Sequence, residues 1–141
     1  MSVDLLLTGA RVLTPGEEAG WVAIDGGRIA AVGDSTDMPP AATETVELAD
    51  RLVVPGFVDL HVHGGGGHTF TNGDADEALA AAEFHERHGT TTLQASLVTA
   101  SAPATRAAVT ALAPLVHSGR LAGVHLEGPY LSNARCGAPN P

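Results

Sequence analysis

Three apolar runs with two helical stretches between them constrain the fold of this chain more than anything else in it. "LVVPGFVDLHV" (52–62), "TTTLQASLV" (90–98) and "LAGVHLEG" (121–128) read as strands. "NGDADEALAAAEFHERHG" (72–89) and "SAPATRAAVTALAPLVHSG" (101–119) read as helices. Strands joined through a helix by short links run parallel, because the crossover returns the chain to its starting end. The first run is apolar almost throughout, the pattern of a strand buried on both faces. Asp74 is placed to cap the first helix, with Glu77 at capping-box spacing and Gly89 closing it. Ser101 and Pro103 start the second helix and Gly119 ends it; Val109, Leu112 and Val116 share a face. Pro114 should kink its last turn.

The first 52 residues have a different rhythm of short strands. In "WVAIDGGRIAAVG", Trp21–Ile24 and Arg28–Val32 form a hairpin around Asp25-Gly26-Gly27, since tight hairpin turns need positive φ. "LLLTGARVLTPG" suggests another hairpin before it. "DSTDMPPAATET" reads as loop, and "VELADRLVVPGF" resumes extended structure. Two domains are expected: 1–52, made of strands, and 53–141, which carries the β-α-β-α-β order.

Composition removes several function classes. The 141 residues carry 7 Lys+Arg against 16 Asp+Glu, a formal charge of −9. A nucleic-acid backbone or an anionic membrane needs a basic face, so neither is an expected partner. The single Cys136 excludes an internal disulfide and fits a reducing compartment. The N-terminal apolar run is too short for a signal peptide or a membrane span, and a cytoplasmic location is expected. Cys136 is read as a small apolar filler.

His61 and His63 end the first apolar run, and alternate residues of a strand face the same side, about 6–7 Å apart. Two imidazoles so placed can meet at one cation, with bonds of about 2.0–2.1 Å. Asp59 shares their parity one layer deeper and is positioned to hold a ligand histidine. Glu127, at the C-terminal end of the third strand, is costly to bury unless it pairs or binds metal. In closed barrels of parallel strands the C-terminal ends carry the active site, which would gather His61, His63 and Glu127 at one mouth. His125 lies one layer below Glu127. Gly64 to Gly67 leave room for a ligand to approach the backbone. From the residues alone each feature also has a plainer reading. The histidine pair can arise by chance, Glu127 can cap a loop or pair with an arginine, and the glycines can form a flexible turn. His68, His85, His88 and His117 are read as ordinary surface or helix-end residues.

Taken together, these residues resemble the amidohydrolase superfamily. "PGFVDLHVH" is similar to the first strand of its (β/α)8 barrel, which carries the metal-binding His-x-His. "HGGGGHTF", "GTTTL" and "GVHLEGPYLS…RCGA" narrow the resemblance to N-acetylglucosamine-6-phosphate deacetylases, with "HLEGP" the most specific block. The resemblance implies an α/β fold: the N-terminal part of a small β-sandwich, then the first β-α-β-α-β units of a truncated TIM-like barrel. It implies hydrolysis of N-acetyl-D-glucosamine 6-phosphate to glucosamine 6-phosphate and acetate. One or two divalent ions (zinc, iron or manganese) would activate water in an enzyme that is a cytoplasmic homodimer. By position, His61, His63 and Glu127 become metal ligands. Ala138, Gly64 and Gly65 become substrate contacts, and Asp59 and His125 their supports. Pro139 stands where the family has a substrate-reaching histidine. The family's later histidines and its general acid/base aspartate are expected beyond Pro141, so the 141 residues alone are expected to be inactive. Another amidohydrolase, dihydroorotase-like or cyclic-amidase-like, and a non-enzymatic fragment are the alternatives.

Overall fold

In a computed structural model, which describes residues 2–14 and 18–138, the chain divides into two compact units, 1–55 and 56–141. The first unit contains β1 (Val3–Thr8), β2 (Arg11–Leu13), β3 (Glu18–Ala19), β4 (Trp21–Asp25), β5 (Arg28–Gly33), β6 (Ala42–Glu47) and β7 (Leu52–Val53). These form two sheets, ordered β5-β4-β1-β6 and β3-β2-β7. The β4–β5 hairpin forms as the sequence predicts. Asp25 pairs with Arg28, leaving Gly26 and Gly27 as a two-residue turn at φ +56° and +72°.

The expected hairpin before it does not form. β1 already has a neighbour on each edge, β4 antiparallel and β6 parallel, so β2 joins β3 and β7 in the other sheet. The loop read at "DSTDMPPAATET" also ends early: Ala42 to Thr45 already belong to β6, paired with β1.

The second unit contains β8 (Phe57–Val62), β9 (Gly64–Gly65), β10 (His68–Thr69), α1 (Ala75–Arg87), β11 (Thr90–Leu97), α2 (Ala102–His117) and β12 (Gly123–Leu126). β8, β11 and β12 form a parallel sheet with β11 in the middle. This unit is therefore α/β, built from the three strands and two crossover helices that the apolar runs predict. Its core joins Ala78, Ala81 and Ala82 of α1, Leu93, Ala95 and Leu97 of β11, Ala108 and Leu112 of α2, and Phe70 and Leu121 from the links.

Three local expectations are corrected. β8 is an edge strand and is not buried on both faces: Phe57 is 58% exposed and Leu60 61%. An apolar run records what a strand could bury, whereas burial needs neighbours on both sides. On α2 the buried face centres on Ala108 and Leu112, with Leu115 and Val116 against the same core, and Val109 lies outside it. At α1, Asp74 caps as expected, accepting from the N–H groups of Asp76 and Glu77. The reciprocal half of the capping box is absent. The Glu77 carboxylate instead meets His68 Nδ1 at 3.2 Å, and Asn72 accepts the Asp74 N–H. α2 starts at Ser101 with Pro103 in its first turn and continues past Pro114 to His117. No helix among the described residues is long and apolar enough to cross a membrane.

Candidate metal centre

His61 lies near the end of β8, His63 one residue beyond that strand, and Glu127 one residue beyond β12. All three therefore stand at the C-terminal edge of the parallel sheet. Glu127 Oε2 is 3.0 Å from His63 Nε2 and 3.5 Å from His61 Nε2. The two imidazoles meet edge to face at 5.1 Å between centroids. One ligand atom from each residue lies within 4.8 Å of the others, and among the described residues this is the one such group. The strand ends thus bring together His61, His63 and Glu127, the three residues singled out by spacing and parity.

The surroundings hold the Glu127 backbone and the His63 ring. Glu127 is held through its backbone: its N–H donates to the Leu97 carbonyl at 2.9 Å, and its carbonyl accepts from Thr99 Oγ1 at 2.8 Å. His63 Nδ1 lies 2.9 Å from the Ser96 carbonyl. A carbonyl only accepts, so Nδ1 carries the proton and Nε2 keeps a lone pair. That lone pair faces a carboxylate oxygen at 3.0 Å, two acceptors with no hydrogen between them when both groups are in their usual forms. A cation or an extra proton resolves this confrontation. Two imidazoles and one carboxylate are a donor set that suits zinc and other divalent first-row ions.

The supporting residues behave less uniformly. Asp59 does not reach a ring; its Oδ1 accepts the backbone N–H of His61 at 3.1 Å, as a short side chain two residues back along a strand can do. His125 lies beneath the pair, its ring 5.0 Å from that of His61 and its Nδ1 3.0 Å from Ser96 Oγ. Gly64 and Gly65 form β9 and pair back on β10 in a hairpin packed on α1. A Cβ on Gly65 would come 2.5 Å from His85 Nε2 and 2.8 Å from Phe84. The absent side chains are thus explained first by the protein's own packing. Ala138 is exposed at the end of the described residues, and Pro139 lies outside them. Cys136 is half-buried, its Sγ 3.7 Å from the Asn133 carbonyl.

Three contributors escaped the sequence reading. His85, taken there for an ordinary helix-end residue, places Nε2 3.0 Å from the Gly64 carbonyl and ties the glycine hairpin to α1. Thr99 anchors Glu127, and Ser96, itself on β11, bonds to residues of β8 and β12 at once. Only Ser96 left a trace in the sequence: a hydroxyl inside the apolar run "LQASLV".

No protein-family model matches the chain. Among curated proteins it is 29% identical over 98% of its length to the N-acetylglucosamine-6-phosphate deacetylase of Bacillus subtilis, and 31% over 97% to the N-acetylgalactosamine-6-phosphate deacetylase of a Shewanella strain. It spans 37% and 36% of those two proteins. A dihydroorotase of Syntrophotalea carbinolica is 45% identical, over 43% of this chain and 15% of that protein. Among solved structures, the N-acetyl-D-glucosamine-6-phosphate deacetylase of Mycobacterium smegmatis superposes with TM-score 0.85 at 45% identity, over 96% of this chain and 36% of the other. A mutant of that enzyme in complex with N-acetyl-D-glucosamine-6-phosphate gives 0.86 at 44%, over 99% and 36%. Over nearly its whole length, then, the chain is homologous to sugar-phosphate deacetylases while covering little more than a third of them.

Proposed function

We propose that this chain, whose relatives and structural neighbours are N-acetylglucosamine-6-phosphate deacetylases, is the part of such an enzyme that supplies a metal centre for removing the acetyl group. The observation that carries the reading is the convergence of two Nε2 atoms and one carboxylate oxygen at the C-terminal edge of a parallel sheet. His61, His63 and Glu127 hold one or two divalent cations. A bound cation would supply Lewis-acid polarisation of the acetamide carbonyl and a more acidic water. This chain's own contribution is orientation. The Ser96 carbonyl keeps the His63 lone pair outward, and Thr99 with the Leu97 carbonyl fixes the peptide of Glu127.

In this reading the sheet is the opening segment of a (β/α)8 barrel and the first unit is part of a β-sandwich. Gly64 and Gly65 keep the backbone slim beside the trio, and Ala138 offers its backbone to the sugar. The proton-transferring aspartate lies outside these 141 residues, so the isolated chain binds metal without turning substrate over. The neighbour bound to N-acetylglucosamine 6-phosphate supports a sugar phosphate as ligand. The dihydroorotase match supports a cyclic amide as the competing substrate class.

The test is a chimera in which this chain replaces the matching third of the Mycobacterium smegmatis enzyme. It is loaded with zinc or manganese and offered N-acetylglucosamine 6-phosphate, N-acetylgalactosamine 6-phosphate and dihydroorotate. Acetate release from the sugar phosphates, lost on Glu127→Gln, is the expected result. A folded, metal-loaded chimera that opens dihydroorotate and leaves both sugars intact would refute the substrate assignment. Vigorous acetate release by the 141-residue chain alone would refute the missing aspartate.

A further inference from the structure

Ser96 is the one buried polar residue among the described residues, with 0% exposure between Ala95 and Leu97 of the core. Burying a hydroxyl is unfavourable unless its hydrogen bonds are made. Its Oγ has two partners among the described residues: the Val62 N–H at 3.2 Å and His125 Nδ1 at 3.0 Å. Its carbonyl takes His63 Nδ1 at 2.9 Å. The Val62 contact falls where the β8–β11 ladder slips. Between the pairs Leu93↔Asp59 and Ala95↔Val62, β8 advances three residues while β11 advances two. Such irregularities re-aim the side chains beside them, and here the peptide pinned by the serine lies between His61 and His63.

Oγ could accept twice, but a buried hydroxyl hydrogen left without an acceptor is costly, and that cost assigns the protons. Oγ accepts from the Val62 N–H and has one hydrogen to give, and within this buried pair of contacts its acceptor is His125 Nδ1. His125 therefore carries its own proton on Nε2. His63, giving Nδ1–H to the carbonyl of the same residue, carries a lone pair on Nε2. We propose that Ser96 is a positioning residue that sets opposite tautomers on two histidines. Its backbone carbonyl leaves His63 an electron pair at the sheet edge, while its hydroxyl holds His125 Nδ1 and so gives His125 an N–H at Nε2. The inference rests on the proposed metal centre only for its functional consequence, because the tautomers exist with or without a cation.

Long-range 1H–15N correlation spectra of the metal-free chain, recorded in mildly alkaline buffer, read the tautomers directly. The expected result is an Nδ1–H form for His63 and an Nε2–H form for His125. Ser96→Ala should move the His125 Nδ1 resonance towards that of a free imine nitrogen, and Ser96→Thr, which keeps the hydroxyl, should restore it. Like tautomers on the two rings, or an unmoved His125 signal in Ser96→Ala, would overturn the assignment. In a second arm Co2+ affinity is measured by chelator competition. Ser96→Ala keeps the carbonyl behind His63 but frees the Val62 peptide between His61 and His63, and should weaken Co2+ binding roughly tenfold, the low end of the effect of losing a supporting hydrogen bond. Leu93→Ala, a core packing change on the same strand away from the trio, should leave it nearly intact. Equal losses in the two variants would reduce Ser96 to a packing role and overturn the proposal. A wild-type chain that shows the assigned tautomers yet binds no Co2+ would sink the metal centre while the serine assignment stands.

Discussion

Replacing Gly64 by alanine isolates what the glycine run does. Gly64 has φ +151° and pairs with Thr69 in the β9–β10 hairpin. A Cβ there would overlap the His68 carbonyl oxygen and sit 2.8 Å from Thr69 Cα, both backbone atoms that cannot swing aside. Gly67, at φ +89°, has no atom within 4 Å of its would-be Cβ and serves as the control. Both substitutions incur backbone strain of order 1–3 kcal/mol. Gly64→Ala adds overpacking of about 1–3 kcal/mol. With a urea slope of about 1–3 kcal/mol per molar, the Gly64→Ala midpoint should fall below that of Gly67→Ala by about 1 M. The hairpin could instead open locally and spare the global midpoint. His63 would then lose the Phe70 N–H and Thr69 Oγ1 bonds to its carbonyl, and the variant would show a weakened metal affinity. Equal urea midpoints combined with equal metal affinities for the two variants would refute the steric reasoning.

Glu127→Gln should weaken metal binding by more than the roughly 10–100-fold of an outer hydrogen-bond partner. It should leave apo stability unchanged or raised, since the amide can donate to His63 Nε2; calorimetry of both states checks this. Leu112→Ala, fully buried in the α2 core, should lose about 2.7–5 kcal/mol in urea unfolding, whereas Val109→Ser on the outer face should stay within about 0.5 kcal/mol. Asp74→Ala removes the acceptor for two N–H groups of α1 and should lower stability by about 0.5–2 kcal/mol, read by thermal melting. Metal affinity should fall steadily as the buffer is acidified, because protons compete with the cation for His61, His63 and Glu127; chelator competition across pH measures it.

What could be read in advance depended on the range of the cause. His61 and His63 point together because strand side chains alternate, and Glu127 joins them because parallel strands end on the same side; both are local rules applied to short runs. The β4–β5 turn was legible for a like reason, two glycines in a register that demands positive φ. Pairing partners were not legible. Nothing within "LLLTGARVLTPG" says that both edges of β1 are taken by strands from further along the chain. The α2 face centres on Ala108 and not Val109 because Gly73 packs against Ala108, so closely that a Cβ on Gly73 would lie 3.0 Å from Ala108 Cα, a contact between distant segments. Glu77 had the right spacing for a capping box but found His68. Ser96 and His85 follow no periodicity, and their importance appears only when three strands and a helix are assembled around them.

The order β12-β11-β8 places the histidines and the glutamate on strands that share no backbone ladder. Any ion gripping all three residues would span the middle strand like a clasp and fasten the two flanks of the sheet to each other. Its removal would be felt first as fraying of the outer strands, detectable as faster amide exchange in β8 and β12 than in β11. Loading the site would slow that exchange in proportion to ligand excess over the dissociation constant.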